Sequence, residues 1–324
     1  MRAINAAHAG GPEVLTITDQ AVPTPGAGEL LVETAAVGVN FIETYQRSGL
    51  YPVDYPFTPG AEATGRVIGL GDGVVGFAVG DRVLTAEARA SYAEQFVVAA
   101  EKAVRVPDSI AEVLTDERAA ALPLQGLTAH YLATSSSRPE PGETVLLHAG
   151  AGGVGLLLTQ LLAARGVRVI TTASTAEKRE LSRAAGAVET IPYEGFADRA
   201  RELTDGAGVS VVYDGVGKDT FDDSLRALRV RGNLVLFGGA SGPVPPFDLQ
   251  RLNSAGALSV TRPSLVYFLR NAEERSWRYG ELFDAVAAGT LDLRVGASFP
   301  LEHAADAHRA LEGRATTGKV VLTV

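Results

Sequence analysis

The 324-residue chain contains no cysteine, one methionine and one tryptophan. Without thiols it can form no disulfide, no cysteine-held iron–sulfur cluster and no thiolate zinc site. An excess of positive charge is also missing. The 29 Lys and Arg are outnumbered by 38 Asp and Glu, for a formal net charge of −9. That balance disfavours a nucleic-acid or anionic-membrane surface. No long unbroken apolar run is present. The longest, from Thr144 to Leu162, is interrupted by His148, four glycines and Gln160. A buried strand, turn and helix explains it better than a membrane span. The N-terminus, MRAINAAHAGGPEVL, has no apolar stretch behind Arg2, which argues against a secretory signal. The expectation is a cytoplasmic globular protein of about two domains.

Two styles of sequence follow one another. The first 125 residues read as short β segments, Leu30–Val37, Ala63–Ile68, Arg82–Thr85 and Tyr92–Val98, set between Gly/Pro turns. From about residue 126, apolar strands alternate with helical stretches. "TVLLHAG" has the continuous apolar character of a parallel strand buried on both faces. "VGLLLTQLLAARG" has helical periodicity and stops at Gly166, and "VRVITTAS" is the next strand. "TAEKRELSRAAG" reads as a helix starting after Ser174 or Thr175 and ending at Gly186. "VSVVYDGVG" and "GNLVLFGGAS" are further strands. This alternation predicts an α/β fold with a doubly wound parallel sheet over 126–265. Helices over 279–288 and 301–312 and a closing strand, "KVVLTV", are expected to return to the β-rich first domain.

"GAGGVG" follows a strand directly and opens a helix, the context in which G-x-G-x-x-G signifies dinucleotide binding. Gly150 is expected to allow the tight turn, and Gly152 to let the backbone approach a pyrophosphate. Gly153 and Val154 lie in the same turn, and Gly155 lets the helix pack on the strand. The helix N-terminus offers N–H groups and partial positive charge to phosphates. About 20 residues on, where an Asp or Glu would hold the ribose of NAD, the chain has "RVITTASTAEK". Ser174 can donate to a 2′-phosphate and Lys178 can pair with it, which favours NADP(H). Ser174 as a helix cap and Lys178 as a solvated surface residue is the competing reading.

Other patterns carry less. "GRATTGKV" nearly spells a P-loop, but Val320 cannot ligate magnesium and a strand follows where a helix is required. His303 and His308 are five apart, about 140° around a helix, and read as surface residues without a metal. His148, at the end of an apolar strand, reads as a core histidine. No G-x-S-x-G occurs.

Several blocks together are far more specific: "GGPEVL" (10–15), "VNFIETYQRSGLY" (39–51), "PGAEATGRV" (59–67), "GVVGFAVGDRV" (73–83), "HAGAGGVG" (148–155), "VVYDGVG" (211–217), "VTRPSL" (260–265) and "GRATTGKVVL" (313–322). In these blocks the chain resembles the quinone oxidoreductases of the medium-chain dehydrogenase/reductase superfamily, the ζ-crystallin branch, over essentially its whole length. The resemblance implies a GroES-like catalytic domain from both chain ends (1–125 and 266–324) around a Rossmann NADP-binding domain (126–265). It also implies a homodimer. Zinc-dependent relatives have a Cys near the place of Asn40 and a His in a G-H-E block. Here that block is Gly60-Ala61-Glu62, so no metal is expected.

Carried over residue by residue, the resemblance places Asn40, Phe41, Ile42, Glu43 and Thr128 by the nicotinamide, and Gly152, Gly153 and Val154 at the pyrophosphate. Ser174, Lys178 and Tyr193 fall at the 2′-phosphate and adenosine, with Phe237, Gly238, Ser241, Arg262 and Arg314 as further coenzyme contacts. Tyr45 and Tyr51 are candidates to line the acceptor pocket or donate a proton; packing beneath a loop is the alternative. The bacterial pattern often has Lys at Gln125, Asn at Pro192 and Asp at Glu43; Ala61 and Gln125 bear on the acceptor pocket and so on substrate choice, and Pro192 on how Tyr193 meets the adenosine phosphate. A quinone is electrophilic enough to take hydride without the Lewis acid that a simple ketone needs, because its product is aromatic. The expected activity is NADPH-dependent quinone reduction without metal. The alternatives are an alkenal or enone reductase and a non-catalytic NADPH-binding protein.

Overall fold

The computed structural model describes residues 1–324. In chain order the elements are β1 (Arg2–Ala6), β2 (Leu15–Asp19), β3 (Glu29–Val39), α1 (Phe41–Arg47), β4 (Ala63–Leu70), β5 (Arg82–Thr85), β6 (Gln95–Ala99), β7 (Val104–Arg105), α2 (Asp116–Ala120) and α3 (Pro123–Tyr131). Then come β8 (Thr144–Leu147), α4 (Gly153–Ala164), β9 (Arg168–Thr172), α5 (Ala176–Ala184), β10 (Glu189–Ile191), α6 (Phe196–Glu202), β11 (Val209–Asp214), α7 (Phe221–Ala227), β12 (Leu228–Leu236), α8 (Gln250–Ser254) and β13 (Ser259–Thr261). The chain closes with α9 (Ala272–Ala287), β14 (Val295–Pro300), α10 (Ala304–Glu312) and β15 (Lys319–Thr323).

The chain packs as two compact units, Met1–Gln125 with Tyr279–Val324, and Gly126–Arg278. The first holds a seven-stranded sheet in the order β14-β15-β3-β4-β5-β7, with β6 also paired to β3, and a two-stranded ribbon β1-β2. In β3, Leu30, Val32 and Thr34 are buried while the residues between them are more exposed, the period of two expected of a half-buried strand. Leu30 and Val32 join Phe96, Val83 and Leu322 in one core. The terminal strand β15 lies antiparallel to β3 and parallel to β14, so the C-terminal segment completes this unit.

The second unit is a six-stranded sheet in the order β10-β9-β8-β11-β12-β13. Every neighbouring pair in it is parallel. Every residue of β11, VSVVYD, is buried, as a strand covered on both faces requires. The order doubles outward from β8, so this unit is a Rossmann-type, doubly wound α/β fold, and the other unit is a β-rich, GroES-like one.

Some elements differ from the sequence expectation. The helix expected from 279 starts at Ala272, and the second unit extends past 265 to Arg278. The reason is packing. Arg278 is 1% exposed. Its Nε donates to Phe268 O at 2.8 Å and its Nη2 donates to Ser135 Oγ at 3.1 Å and to Glu274 Oε1 at 2.7 Å. The Tyr131 ring stacks on Phe268 at 4.3 Å. The expected helix over 301–312 begins as one 3₁₀ turn, Leu301–His303, before α10.

Candidate active site

The glycine turn joins β8 to α4. Its left-handed residue is Ala149, at φ 55°, and Gly150, expected to allow the tight turn, is not itself left-handed. Gly150 is required for space instead: a Cβ there would lie 2.5 Å from both Ser182 Oγ and Thr171 Cβ. Gly155 has the role expected of it, since a Cβ would come 2.2 Å from Ala149 O. Gly152 is the N-cap of α4, and no side chain caps it. A Cβ on Gly152 would meet only Ala149, 3.2 Å from its carbonyl oxygen. The turn therefore offers the uncapped first turn of a 12-residue helix with no side chain over it. That suits a pyrophosphate, because first-turn N–H groups have no partner within their helix.

The strand ends beside this turn carry the other expected coenzyme contacts. Ser174 is exposed just past β9. It is not the helix cap: Thr175 caps α5, its side chain accepting the Lys178 N–H at 3.2 Å. Lys178 stands in the first turn of α5, and no acid lies between β9 and that turn. Tyr193 follows β10, and its hydroxyl accepts the Ala149 N–H at 3.1 Å, tying this tyrosine to the glycine turn. Phe237 and Gly238 follow β12, where both N–H groups donate to Asp214 O at 2.9 and 3.3 Å. The Ser241 hydroxyl donates to Val216 O at 2.8 Å and accepts the Asp219 N–H at 3.0 Å. Arg262 is exposed just past β13. These residues thus share the C-terminal ends of one parallel sheet. Thr128 lies instead on α3, 8% exposed.

Beneath the turn, His148 is a satisfied core residue as expected. Its Nδ1 and Nε2 lie 2.9 Å from Thr172 Oγ1 and Ser224 Oγ. Burial holds its imidazole below the ordinary range, against the pull of Asp214.

In the first unit the "NFIETYQR" block forms α1 with Asn40 as N-cap. Phe41, Tyr45 and Tyr51 make an aromatic row, with ring centroids 6.1 and 5.2 Å apart. Ile42 and Tyr51 beside them are both 38% exposed. The block thus forms a partly exposed, ring-bearing surface. Arg314 is exposed at the end of α10. Asn40 and Glu43, by contrast, turn inward. Asn40 Nδ2 donates to Glu62 Oε2 at 2.8 Å and to Gly38 O at 3.2 Å, and Asn40 Oδ1 accepts from Lys319 Nζ at 2.6 Å. Glu43 is 1% exposed and accepts the Asn40 N–H at 2.8 Å through Oε2, while its buried Oε1 has no partner. Burial raises the Glu43 carboxyl to about 7, against the opposing pull of Lys319.

His308 corrects an expectation. It is buried, not on the surface, because α10 lays it against Arg47 and Tyr92. Arg47 donates to His308 Nδ1 at 3.2 Å, and Tyr92 Oη lies 3.1 Å from Nε2. Burial first, and Arg47 second, hold its imidazole down at about 3, so it stays neutral. Arg47 also holds Glu312 through two bonds of 3.0 and 2.7 Å. His303 is exposed beside Asp306. No group of three or more His, Asp or Glu side chains has the arrangement of a metal site. Sequence reasoning passed over Lys319, which lay within the discarded P-loop look-alike. The usable signal was a lysine opening a strand whose next three residues are all apolar.

The Glu43 carboxyl generates a prediction. Its folded-state value lies above its ordinary 4.5, so its contribution to stability is full below that pH and declines as pH rises toward 7. The unfolding free energy of Glu43→Gln, minus that of the parent, is expected to grow by about 3 kcal/mol between pH 4.5 and 7.5. Urea denaturation across that range measures it, and a constant difference contradicts it.

Two family descriptions match the chain: "Alcohol dehydrogenase GroES-like domain" over residues 26–108 and "Zinc-binding dehydrogenase" over 153–278. A quinone oxidoreductase of Pseudomonas aeruginosa is 45% identical, the match covering 97% of this chain and 96% of that one. A 2-haloacrylate reductase of a Burkholderia species is 40% identical, covering 97% and 96%. A mycobacterial protein solved in complex with NADPH is 53% identical, superposes with a TM-score of 0.97 and matches over 100% of both chains. Full-length identity at this level, on this fold, settles the lineage: the chain belongs to the quinone oxidoreductase family of oxidoreductases, in the zinc-free branch of the medium-chain dehydrogenase/reductase superfamily.

Proposed function

We propose that the protein is an NADPH-dependent reductase of quinones that works without a metal. The observation that carries this is the end of β9, which presents exposed Ser174 and then Lys178 where an NAD-binding fold would present an acid. The mycobacterial neighbour solved with NADPH supports the same reading. Bound NADPH supplies a hydride at its nicotinamide. In this reading the uncapped turn Gly152–Val154 holds the pyrophosphate, and Ser174, Lys178 and Tyr193 hold the 2′-phosphate end. Thr128, Phe237, Gly238, Ser241 and Arg262 complete the grip. Phe41, Ile42, Tyr45 and Tyr51 hold a flat acceptor by stacking and exclude water from it. A tyrosine hydroxyl from Tyr45 or Tyr51 delivers the proton that balances the hydride. Asn40 and Glu43, with their side chains engaged inside, shape this face from below.

A second reading has its own support. The Burkholderia relative is named for reduction of a haloacrylate, an activated alkene that can also take hydride at carbon and spread the charge. Self-association belongs to the proposal too. The edge strand β13 is open, and Val266 and Tyr267 beyond it are 59% and 74% exposed, as suits a homodimer seam.

NADPH oxidation against benzoquinones, naphthoquinones, ortho-quinones and short enals tests the function. Quinones are expected to turn over with NADPH and poorly with NADH. Turnover of alkenes alone would transfer the assignment to the second reading. Lys178→Ala is expected to weaken NADPH binding by about 1–3 kcal/mol, the range of a charge-assisted bond, with NADH binding unaltered. Equal loss for both nucleotides would remove Lys178 from the 2′-phosphate.

A further inference from the structure

Beneath the first turn of α1 an ammonium is sealed among polar groups from distant parts of the chain. Lys319, at the start of β15, is 1% exposed, Glu62 0%, Glu43 1% and Asn40 5%. Lys319 Nζ donates to Glu62 Oε2 and, at 2.6 Å, to Asn40 Oδ1. The other Glu62 oxygen accepts the Leu124 N–H at 2.6 Å. The site has no slack, since a Cβ on Gly38 would lie 2.1 Å from Glu62 Oε2.

A buried ion pair is weak support for stability, because an apolar pair of equal volume does as well. What this pair supplies is direction. Within an amide only the oxygen accepts from an ammonium, so the Asn40 side chain has one orientation, with Nδ2 toward Glu62. Asn40 is the N-cap of α1, so the direction in which the helix leaves β3 is set here. Phe41 and Tyr45 ride on that helix.

We infer that Lys319 is a positioning residue for the electron acceptor: by holding Asn40 it fixes the first turn of α1 and with it the aromatic face against which the acceptor lies. This rests on the proposed function, because only there is that face the acceptor's place. Lys319 itself touches neither reactant.

Two variants test it. Asn40→Ser keeps a good N-cap residue and leaves the pair of Lys319 and Glu62 in place, but its hydroxyl cannot span to the ammonium. Lys319→Met combined with Glu62→Gln replaces the ions by neutral side chains of similar size. In both, NADPH dissociation constants measured by nucleotide fluorescence are expected within about twofold of the parent, while KM for a benzoquinone rises at least about tenfold. An unchanged quinone KM in a folded variant overturns the inference. Should the double variant fail to fold, Asn40→Ser decides alone. If the parent oxidises NADPH with no quinone, the functional reading has failed and the inference falls with it. Parental turnover with unaffected variants sinks only the inference.

Discussion

Parallel pairing is the constraint from which the rest follows. Because β8 through β13 all run the same way, each loop leaving a strand's C-terminal end arrives at one edge of the sheet. Residues spread from Ala149 to Arg262 are thereby collected without any long-range pairing of their own. The glycines then decide how near the backbone can come. Gly155 lets α4 press on the turn, and Gly150 makes room for the Thr171 and Ser182 side chains. The partial charge of the helix is left uncovered at the place where a phosphate is wanted.

The β-rich unit is organised on another principle. Its interior holds buried charges tied to neighbours: Lys319 with Glu62 and Asn40, and Arg47 with His308 and, at the surface, Glu312. These clamps lie at both ends of α1, since Asn40 caps its start and Arg47 closes it. A helix of seven residues has little stability of its own. The clamps fix it, and the aromatic row is carried in place. Glu43 and His308, both buried, have opposite displacements. Glu43 is raised and His308 lowered, and in both the uncharged form is favoured by burial, as expected where water is absent.

How much of this the sequence disclosed depended on distance along the chain. The glycine turn, the missing acid after β9 and the alternation of strands with helices are local, and all were readable. The core role of His148 followed from its strand. The burial of His308 was not readable, because its partner Arg47 lies 261 residues away. Nor was the place of Lys319, which lies 279 residues from Asn40. Short elements were missed for a different reason: β10 and β13 have three residues each, too few for a period to show. The seven residues of α1 gave no pattern either. The orientation of Asn40 was beyond the motif altogether, because the block that placed it by the nicotinamide specifies its identity and not the direction in which it turns.

In the proposed reading this chain passes electrons from NADPH to a molecule electrophilic enough to need no Lewis acid. What supports it is the pair Ser174 and Lys178 after β9 and the mycobacterial neighbour solved with NADPH. The most direct measurement is the rate of NADPH oxidation with a benzoquinone before and after exhaustive dialysis against a strong chelator. The account predicts turnover at an undiminished rate. Activity that vanishes on chelation and returns with added zinc would contradict it.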